Sequence, residues 1–190
     1  MTGRGPSGDH QEVRHLSRRH FVTSLAAALP LLGAPRRAFA RSAGTRALRF
    51  EHTHTGEKLA VEYFDRGGYL PDALATVNHF LRDFRTGEVH QIDAGLLDLL
   101  HGLTDLTETS KPFQVISGYR SPATNAKLRR ASEGVAAGSL HMVGQAIDVR
   151  LGDVPLDKLR TAARAARRGG VGYYPASNFV HVDTGRVRFW

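Results

Sequence analysis

The chain has 190 residues, no cysteine and a formal net charge of +8. Six of its arginines lie in residues 1–40 against two acidic residues, so the remaining 150 residues carry only +4. That remainder is long enough to bury one core. It has neither a long basic run nor interleaved aromatic residues, and therefore does not predict nucleic-acid binding. Without cysteine, any metal site must use histidine, carboxylate or water ligands.

Residues 1–40 have the organisation of a cleavable export signal. The stretch SRRHFVTSLAAALPLLGAPRRAFA places Arg18 and Arg19 before a short apolar run and ends in a small-x-small sequence. The paired arginines resemble the twin-arginine export motif. The apolar run is shorter than the roughly 20 residues that span a bilayer. We expect cleavage after residue 40, delivery to the periplasm or cell envelope, and no permanent membrane anchor; an amphipathic basic helix is the alternative.

The next part of the sequence, after a polar lead in residues 41–46, predicts a β-hairpin followed by two helices. LRFEHTHTGEKLAVEYF alternates apolar and polar residues on both sides of a turn that contains Gly56. Two stretches with apolar residues at helical spacing follow. Their apolar positions are Leu74, Val77, Leu81 and Phe84 in the first stretch and Leu96, Leu99, Leu103 and Leu106 in the second.

The second half predicts shorter elements. FQVISGYR indicates a strand, and Ser121-Pro122 is typical of a helix N-cap and first turn. Residues 145–151 form a second predicted strand, PLDKLRTAARAARRG a helix that stops at Gly169-Gly170, and VGYYP, NFVHVDT and RVRFW three short strands. We therefore predict that residues 47–190 form one α+β domain, a mostly antiparallel sheet with helices packed on it.

Two of the predicted strands carry histidine and aspartate at spacings typical of a metal site. In HMVGQAID, His141 precedes the strand, whereas Ala146 and Asp148 share one face of it. In FVHVD, His181 and Asp183 share a face by the same alternation. If the strands are neighbours, His141, Asp148 and His181 supply three ligands to one cation. Such a set with an open fourth position is typical of catalytic zinc, which lowers the pKa of a water.

At these residues the sequence resembles a known group of enzymes. SLHMVGQAID fits the S-x-H-x-x-G-x-A-x-D motif of the D-Ala-D-Ala carboxypeptidase and VanX-like zinc peptidases, and HVD resembles their third-ligand region. The resemblance extends over residues 47–190 to the YcbK (MepK)-like murein endopeptidases, through HTGE, HFLRDFRTGEVHQID, SGYRSPATN, VGYYP and FVHVDTGRVRFW.

The resemblance implies a fold, a cofactor and a substrate. The fold is hedgehog/D-Ala-D-Ala-peptidase-like, and one Zn²⁺ per chain is held by His141, Asp148 and His181. The substrate is a peptidoglycan peptide, with an L,D-type cross-link between two diaminopimelate residues favoured. Arg120 matches the arginine that faces the scissile carbonyl in related peptidases, where a guanidinium suits an oxyanion or a substrate carboxylate. A structural ion pair is the alternative role of Arg120.

The general base is where the sequence departs from the VanX-type pattern. Those enzymes have an acidic residue three positions before the last histidine ligand, and this chain has Asn178 there. An amide does not accept a proton at neutral pH. Asp183 is the nearest candidate for the catalytic base, and its alternative role is to hold the imidazole of a ligand in the proper tautomer.

Other polar residues of the motifs are given structural roles. His54 and Glu57 resemble family residues, but a Thr-Gly-Glu turn is explained by backbone geometry alone. Ser139 is expected to orient the loop of His141 through a backbone hydrogen bond. The three histidines on or near the predicted helices, His79, His90 and His101, are taken as ordinary surface or packing residues.

Three functions follow from this reading. The first is a zinc-dependent murein endopeptidase that cuts peptide cross-links of the bacterial wall. The second is a D,D- or L,D-carboxypeptidase or dipeptidase that trims stem peptides and uses Arg120 to bind a terminal carboxylate. The third is a non-catalytic wall-binding module, which the missing acid at Asn178 keeps open. The sequence gives no indication of an oligomeric state.

Overall fold

Eight strands and four α-helices make up residues 44–132 and 134–190, the part of the chain that the computed structural model describes. The predicted export signal lies outside the described residues. The elements are β1 Arg46–His52, β2 Lys58–Asp65, β3 Gly68–Tyr69, α1 Pro71–Phe80, α2 Ala94–Leu106, β4 Phe113–Ser117, α3 Pro122–Ala131, β5 Ala146–Leu151, α4 Leu156–Ala166, β6 Gly170–Tyr174, β7 Phe179–Asp183 and β8 Arg188–Phe189. Two 3₁₀ helices, Leu140–Val143 and Pro175–Ser177, lie among them.

All eight strands of the described residues form one mixed sheet in the order β3-β2-β1-β4-β5-β7-β6-β8. The pairs β1–β4 and β6–β8 are parallel, whereas the other five pairs are antiparallel. The prediction of an α+β domain with a mostly antiparallel sheet is confirmed. The predicted hairpin is confirmed as well, because β1 and β2 pair across a turn in which Gly56 has φ of 73°.

α2 and α4 bury their apolar positions against one face of this sheet. α2 packs on β1 and α4, and α4 packs on β5, β6 and β7. The core that they share with the sheet includes Leu96, Leu100, Leu103, Leu159, Ile147, Val149, Val180 and Val182. Side chains alternate along a strand. Asp148, between Ile147 and Val149 on β5, and His181, between Val180 and Val182 on β7, therefore point to the opposite face.

Two helices end earlier than the sequence predicts. α1 ends at Phe80 rather than near Phe84, since the Leu81 carbonyl accepts a hydrogen bond from Tyr119 N at 2.8 Å and the following residues form a turn. α4 ends at Ala166, where Arg167 adopts a left-handed conformation (φ 50°) before the chain enters β6. In both cases a tertiary contact or strand entry outweighs the local helical preference.

The turn after α1 contains a buried carboxylate that holds the start of α3. Asp83 Oδ2 accepts hydrogen bonds from Ser121 N (2.9 Å) and Ser121 Oγ (2.7 Å), and Asp83 Oδ1 accepts one from Arg85 N (3.0 Å). Ser121 Oγ in turn accepts a bond from Thr124 N and caps α3, as predicted. Burial raises the pKa of Asp83, but the hydrogen bonds outweigh it and lower the pKa to about 2.

We expect Asp83→Asn to destabilise the protein in a pH-dependent way. Because the folded pKa is depressed below the ordinary value of 3.8, the stabilisation is present above that value and is lost as the pH falls through about 2. Urea unfolding at pH 7 should show a loss of about 1.5–3 kcal/mol relative to wild type, the usual range for hydrogen bonds to a charged group. The difference should shrink towards pH 2.5. A constant difference across this range would contradict the assignment, and the exposed Asp72→Asn serves as control.

Candidate metal centre and substrate groove

Strand pairing brings the predicted carboxylate and the second histidine together. β5 and β7 are antiparallel neighbours, and Asp148 is directly opposite His181 in their register. Both side chains are buried. They lie on the face of the sheet opposite to the one covered by α2 and α4. The condition stated for a shared site, that these two strands be adjacent, is met.

His141 reaches the same point from a 3₁₀ helix rather than from an irregular loop. Ser139 caps that helix, and its Oγ accepts a hydrogen bond from His141 N at 3.4 Å, in line with the role expected for it. Gly144 ends the helix with φ of 68°. A Cβ at that position would overlap the Gln91 carbonyl oxygen, so the close packing of this turn requires glycine.

Three ligand atoms converge at spacings that suit a single ion. His141 Nε2 lies 3.2 Å from Asp148 Oδ1, His181 Nδ1 lies 2.9 Å from the same oxygen, and the two nitrogens are 3.2 Å apart. These three residues are the group that could hold a metal ion among the residues that the structure describes. Ligand bonds of about 2.0–2.2 Å to a tetrahedral ion place neighbouring ligand atoms a little over 3 Å apart.

The outer nitrogens of both rings fix which atoms face the centre. His141 Nδ1 donates to the Gly118 carbonyl at 2.7 Å, and His181 Nε2 donates to Asp183 Oδ2 at 3.0 Å. Both acceptors require a proton on the outer nitrogen, so the neutral rings turn lone pairs towards Asp148. Three acceptor atoms then face one another, an arrangement that a cation stabilises. The residues present therefore fit a metal ion.

The pKa values follow from the same contacts. Burial raises the pKa of the Asp148 carboxyl, but its electrostatic and hydrogen-bond contacts with the two histidines outweigh burial and hold the pKa well below its usual range. Burial lowers the pKa of His141. For His181 burial also lowers the pKa, yet hydrogen bonds to Asp148 and Asp183 outweigh it, so the net pKa is raised.

Arg120 is held against this centre by several bonds. Its Nε donates to Ser117 Oγ at 2.9 Å and its Nη2 to Asp148 Oδ2 at 2.5 Å, while Nη2 is 3.2 Å from His141 Nε2. The backbone adds a bond from Arg120 N to His141 O at 3.1 Å. The ion pair considered for Arg120 therefore exists, and its partner is a residue of the centre itself.

Asp183 lies behind His181 rather than at the centre. Its fully buried carboxylate accepts bonds from Gly170 N and Gly185 N (2.9 Å each) and from both Arg188 Nη atoms. Burial raises the pKa of Asp183, but the hydrogen bonds from His181, Arg188 and the backbone outweigh it and hold the pKa well below its usual range. A carboxylate with so many donors is a poor proton acceptor.

Asn178 has a backbone reason for its identity. It ends the second 3₁₀ helix in the left-handed conformation, with φ of 53°, just before β7. Asparagine tolerates this conformation better than most residues with a side chain. Its side chain is exposed.

A groove of about 430 Å³ opens beside the three proposed ligands. Arg120, Ser139 and Leu140 line one part of it, and Tyr174, Phe179 and Trp190 line another. Phe179 and Tyr174 stack with 4.6 Å between ring centroids. Sequence reasoning treated these aromatic residues only as strand positions, because their approach to the centre depends on strand pairing. The only feature of the sequence that could have indicated their role is that each lies at or next to the end of a strand, Tyr174 in β6, Phe179 in β7 and Trp190 after β8.

The remaining histidines form contacts away from the centre. His54 stacks on Phe84 with 4.3 Å between centroids, and Glu57 pairs with Arg82 at 3.1 Å, so these hairpin residues have structural partners. Three further histidines lie on or near the helices: His79 in α1, His101 in α2 beside Asp105 at 3.6 Å, and His90 stacked on Tyr119 at 4.7 Å.

The described helices include none with the length and apolar character that a bilayer crossing demands.

Comparisons with known proteins place the chain in a family. Residues 40–190 match the model of the Peptidase_M15_2 family, described as peptidoglycan L,D-endopeptidase MepK. The chain is 50% identical over 145 residues to the peptidoglycan L,D-endopeptidase MepK of Escherichia coli strain K12, covering 76% of this chain and 80% of that protein. It is 46% identical over 146 residues to the probable peptidoglycan L,D-endopeptidase MepK of Haemophilus influenzae, covering 76% and 78%.

Proposed function

This chain belongs to the Peptidase_M15_2 family, and we propose on that basis that it is a zinc-dependent murein endopeptidase that hydrolyses peptide cross-links of peptidoglycan. The cross-link proposed is of the L,D type, between two diaminopimelate residues. One observation carries the proposal: a buried His141–Asp148–His181 group lies beside Arg120 in an open groove. The hedgehog/D-Ala-D-Ala-peptidase-like version of the α+β fold is part of the same proposal.

The metal assignment rests on the chemistry of the ligand set. Membership of the M15 peptidase family implies that the chain binds a metal. Two imidazoles with one carboxylate are typical ligands of catalytic zinc. When bound, zinc supplies Lewis acidity, which polarises a carbonyl and lowers the pKa of water. In this assignment His141 and His181 contribute Nε2 and Nδ1, and Asp148 contributes Oδ1.

Arg120 is assigned the stabilisation of negative charge on the scissile carbonyl oxygen. Its guanidinium is held by Ser117 and Asp148 and lies 3.2 Å from His141 Nε2, so its position is set before substrate binds. A fixed donor in a water-poor site stabilises a developing oxyanion more than a mobile donor does. The Arg120 side chain is only 13% exposed, so solvent has limited access to it.

For Asp183 the contacts favour the supporting role over that of general base. It receives the Nε2 proton of His181 as a hydrogen bond and so keeps Nδ1 free as a ligand atom. Its other oxygen contacts are with Arg188 and backbone N–H groups, which fix the carboxylate in place. We therefore assign Asp183 to orienting His181, and no longer to proton abstraction.

Asp183→Asn separates these two roles. An asparagine leaves His181 less firmly oriented, and we expect about a 10–100-fold lower zinc affinity, the usual effect of losing such a partner. At saturating zinc the variant should recover most of the wild-type kcat. Competition with a chromophoric chelator gives the affinity. A kcat that stays more than a hundredfold low at saturating zinc would instead show that Asp183 acts in the chemical step.

The proposed function is tested on purified sacculi with the mature protein, with and without chelator. We expect metal-dependent conversion of cross-linked dimers into two monomers, identified by mass. Loss of a single terminal residue from each stem would show a trimming carboxypeptidase instead. A zinc-loaded protein that binds sacculi and releases nothing would leave the wall-binding module.

The place of action is part of the proposal. A peptidoglycan substrate places the enzyme in the cell envelope, and the Arg18-Arg19 motif supports export by the twin-arginine route to the periplasm. Replacing both arginines with lysine should leave folded precursor inside the cell, as fractionation would show. Normal export of that variant would exclude the route.

A further inference from the structure

Trp190 lies beside the proposed metal centre, and none of the roles assigned above involves it. Trp190 N donates to the Val171 carbonyl at 3.2 Å, and Tyr173 N donates to the Trp190 carbonyl at 3.1 Å. In a parallel ladder these two bonds place Trp190 next to Gly172, which itself pairs with His181. Trp190, Gly172 and His181 therefore form one row on one face of the sheet.

The glycine in this row allows the indole to reach the centre. A Cβ on Gly172 would lie 2.7 Å from Trp190 Cε2 and 2.8 Å from Tyr174 Cε2. Because the Cβ is missing, the indole lies over the backbone of β6, and its centroid is 5.3 Å from that of His181. The aromatic ring of Trp190 is thus held beside His181, a proposed metal ligand.

The indole presents an apolar surface to the groove. Its Nε1 donates to Tyr174 Oη at 2.8 Å, so its polar atom already has a partner. Arg188 lies against the ring, with 4.9 Å from Cζ to the centroid. Even so, 48% of Trp190 is exposed, and the residue lines the groove. A rigid, half-exposed aromatic face of this kind is suited to binding an aliphatic group.

On the basis of the proposed function, we infer that Trp190 is a specificity-determining residue that binds the methylene chain of the cross-linking diamino acid beside the scissile amide. Such an amino acid has polar groups at both ends and an apolar middle. The middle packs on the indole of Trp190, while Arg120 and Arg188, which line the same groove, are close to the charged ends.

The position of Trp190 favours peptide over glycan as the bound group. Because the ring centroid of Trp190 is 5.3 Å from that of His181, a group bound on the indole lies close to the proposed metal centre and to the bond being cut. The sugar is separated from that bond by further stem residues, each of which spans about 3.3–3.6 Å when extended. The glycan therefore lies beyond the reach of Trp190.

Binding can be measured without turnover, because Trp190 is the only tryptophan in the chain. The zinc-loaded mature protein is titrated with the product peptide L-alanyl-γ-D-glutamyl-diaminopimelate, and with a matched peptide that has alanine in place of diaminopimelate. We expect a saturable change in tryptophan emission with the first peptide and none with the second over the same concentrations. An equal response to both peptides, or a response to the wall disaccharide alone, would overturn the inference.

Kinetics on a cross-linked dimer provide the second test. Trp190→Ala should raise KM about tenfold with kcat within about twofold, the size expected when a few methylene groups lose one apolar contact surface. Trp190→Phe should restore most of the loss. The control is Phe189→Ala, since Phe189 is a neighbouring exposed aromatic residue that packs on Arg164 at 4.7 Å and does not line the groove.

The outcomes separate this inference from the function on which it rests. A wild-type protein that cleaves no dimer would refute the proposed function. An active wild type, together with an unchanged KM in Trp190→Ala or the same rise in Phe189→Ala, would refute only the role of Trp190. Zinc content and thermal unfolding of each variant show whether the centre and the fold are intact.

Discussion

Replacing His141 with alanine is expected to abolish hydrolysis of cross-linked peptidoglycan, with a fall in kcat/KM of at least about a thousandfold. The physical reason is the loss of one of three ligand atoms, since a two-ligand site with an unbalanced Asp148 carboxylate holds zinc poorly. Metal analysis should show about one zinc per chain in wild type and much less than one in the variant. Both quantities should fall together.

The control for this prediction is His79→Ala, because His79 is an exposed histidine on α1. It should keep wild-type zinc content and activity. The His141 side chain is buried, so the far-ultraviolet circular dichroism of its variant must be compared with that of wild type. A folded His141→Ala protein that retains full zinc content would show that the metal lies elsewhere.

Replacing Arg120 with lysine is expected to lower kcat about a hundredfold to a thousandfold while KM changes much less. Lysine keeps the charge but loses the planar donor array that bonds Ser117 and Asp148 together. The donor for the oxyanion is then no longer held in place, and loss of one such donor has an effect of this size. Steady-state kinetics on a defined dimer at saturating zinc provide the measurement.

A purely structural ion pair would behave differently. Arg46→Lys is the matched control, because Arg46 Nη1 pairs with Asp98 Oδ1 at 2.6 Å through a half-exposed side chain on β1. If Arg120 had only such a role, both variants would lose some thermal stability and neither would lose kcat. A large fall in kcat confined to Arg120→Lys would support the catalytic assignment, whereas equal kcat in both variants would contradict it.

Local patterns predicted most elements because the forces that form them act over a few residues. The leucines of α2 recur at helical spacing. Three of the four predicted positions, Leu96, Leu99 and Leu103, are buried as expected, whereas Leu106 is exposed. Ser121 caps α3 because its hydroxyl lies within reach of Thr124 N, three residues along. The errors occur at helix ends, because contacts with distant residues decide where a helix stops. One such contact is the hydrogen bond from Tyr119 N to the Leu81 carbonyl.

The sequence by itself also predicted which residues form the candidate site. Strand alternation placed Asp148 on one face of β5 and His181 with Asp183 on one face of β7, since side-chain direction along a strand depends only on local backbone geometry. The residue types, two imidazoles and a carboxylate, then limited the chemistry to a cation such as zinc. Bringing the three residues together on one cation, however, depended on the two strands being neighbours, which the structure shows.

Only the tertiary structure decided how these residues are used. The pairing of β7 with both β5 and β6 places Asp148 in front of His181, while Asp183 lies behind its ring with Arg188. The parallel pairing of β8 with β6 brings Trp190 beside the centre. Strand order and register depend on burial of the whole core, a non-local property that no short stretch of sequence contains.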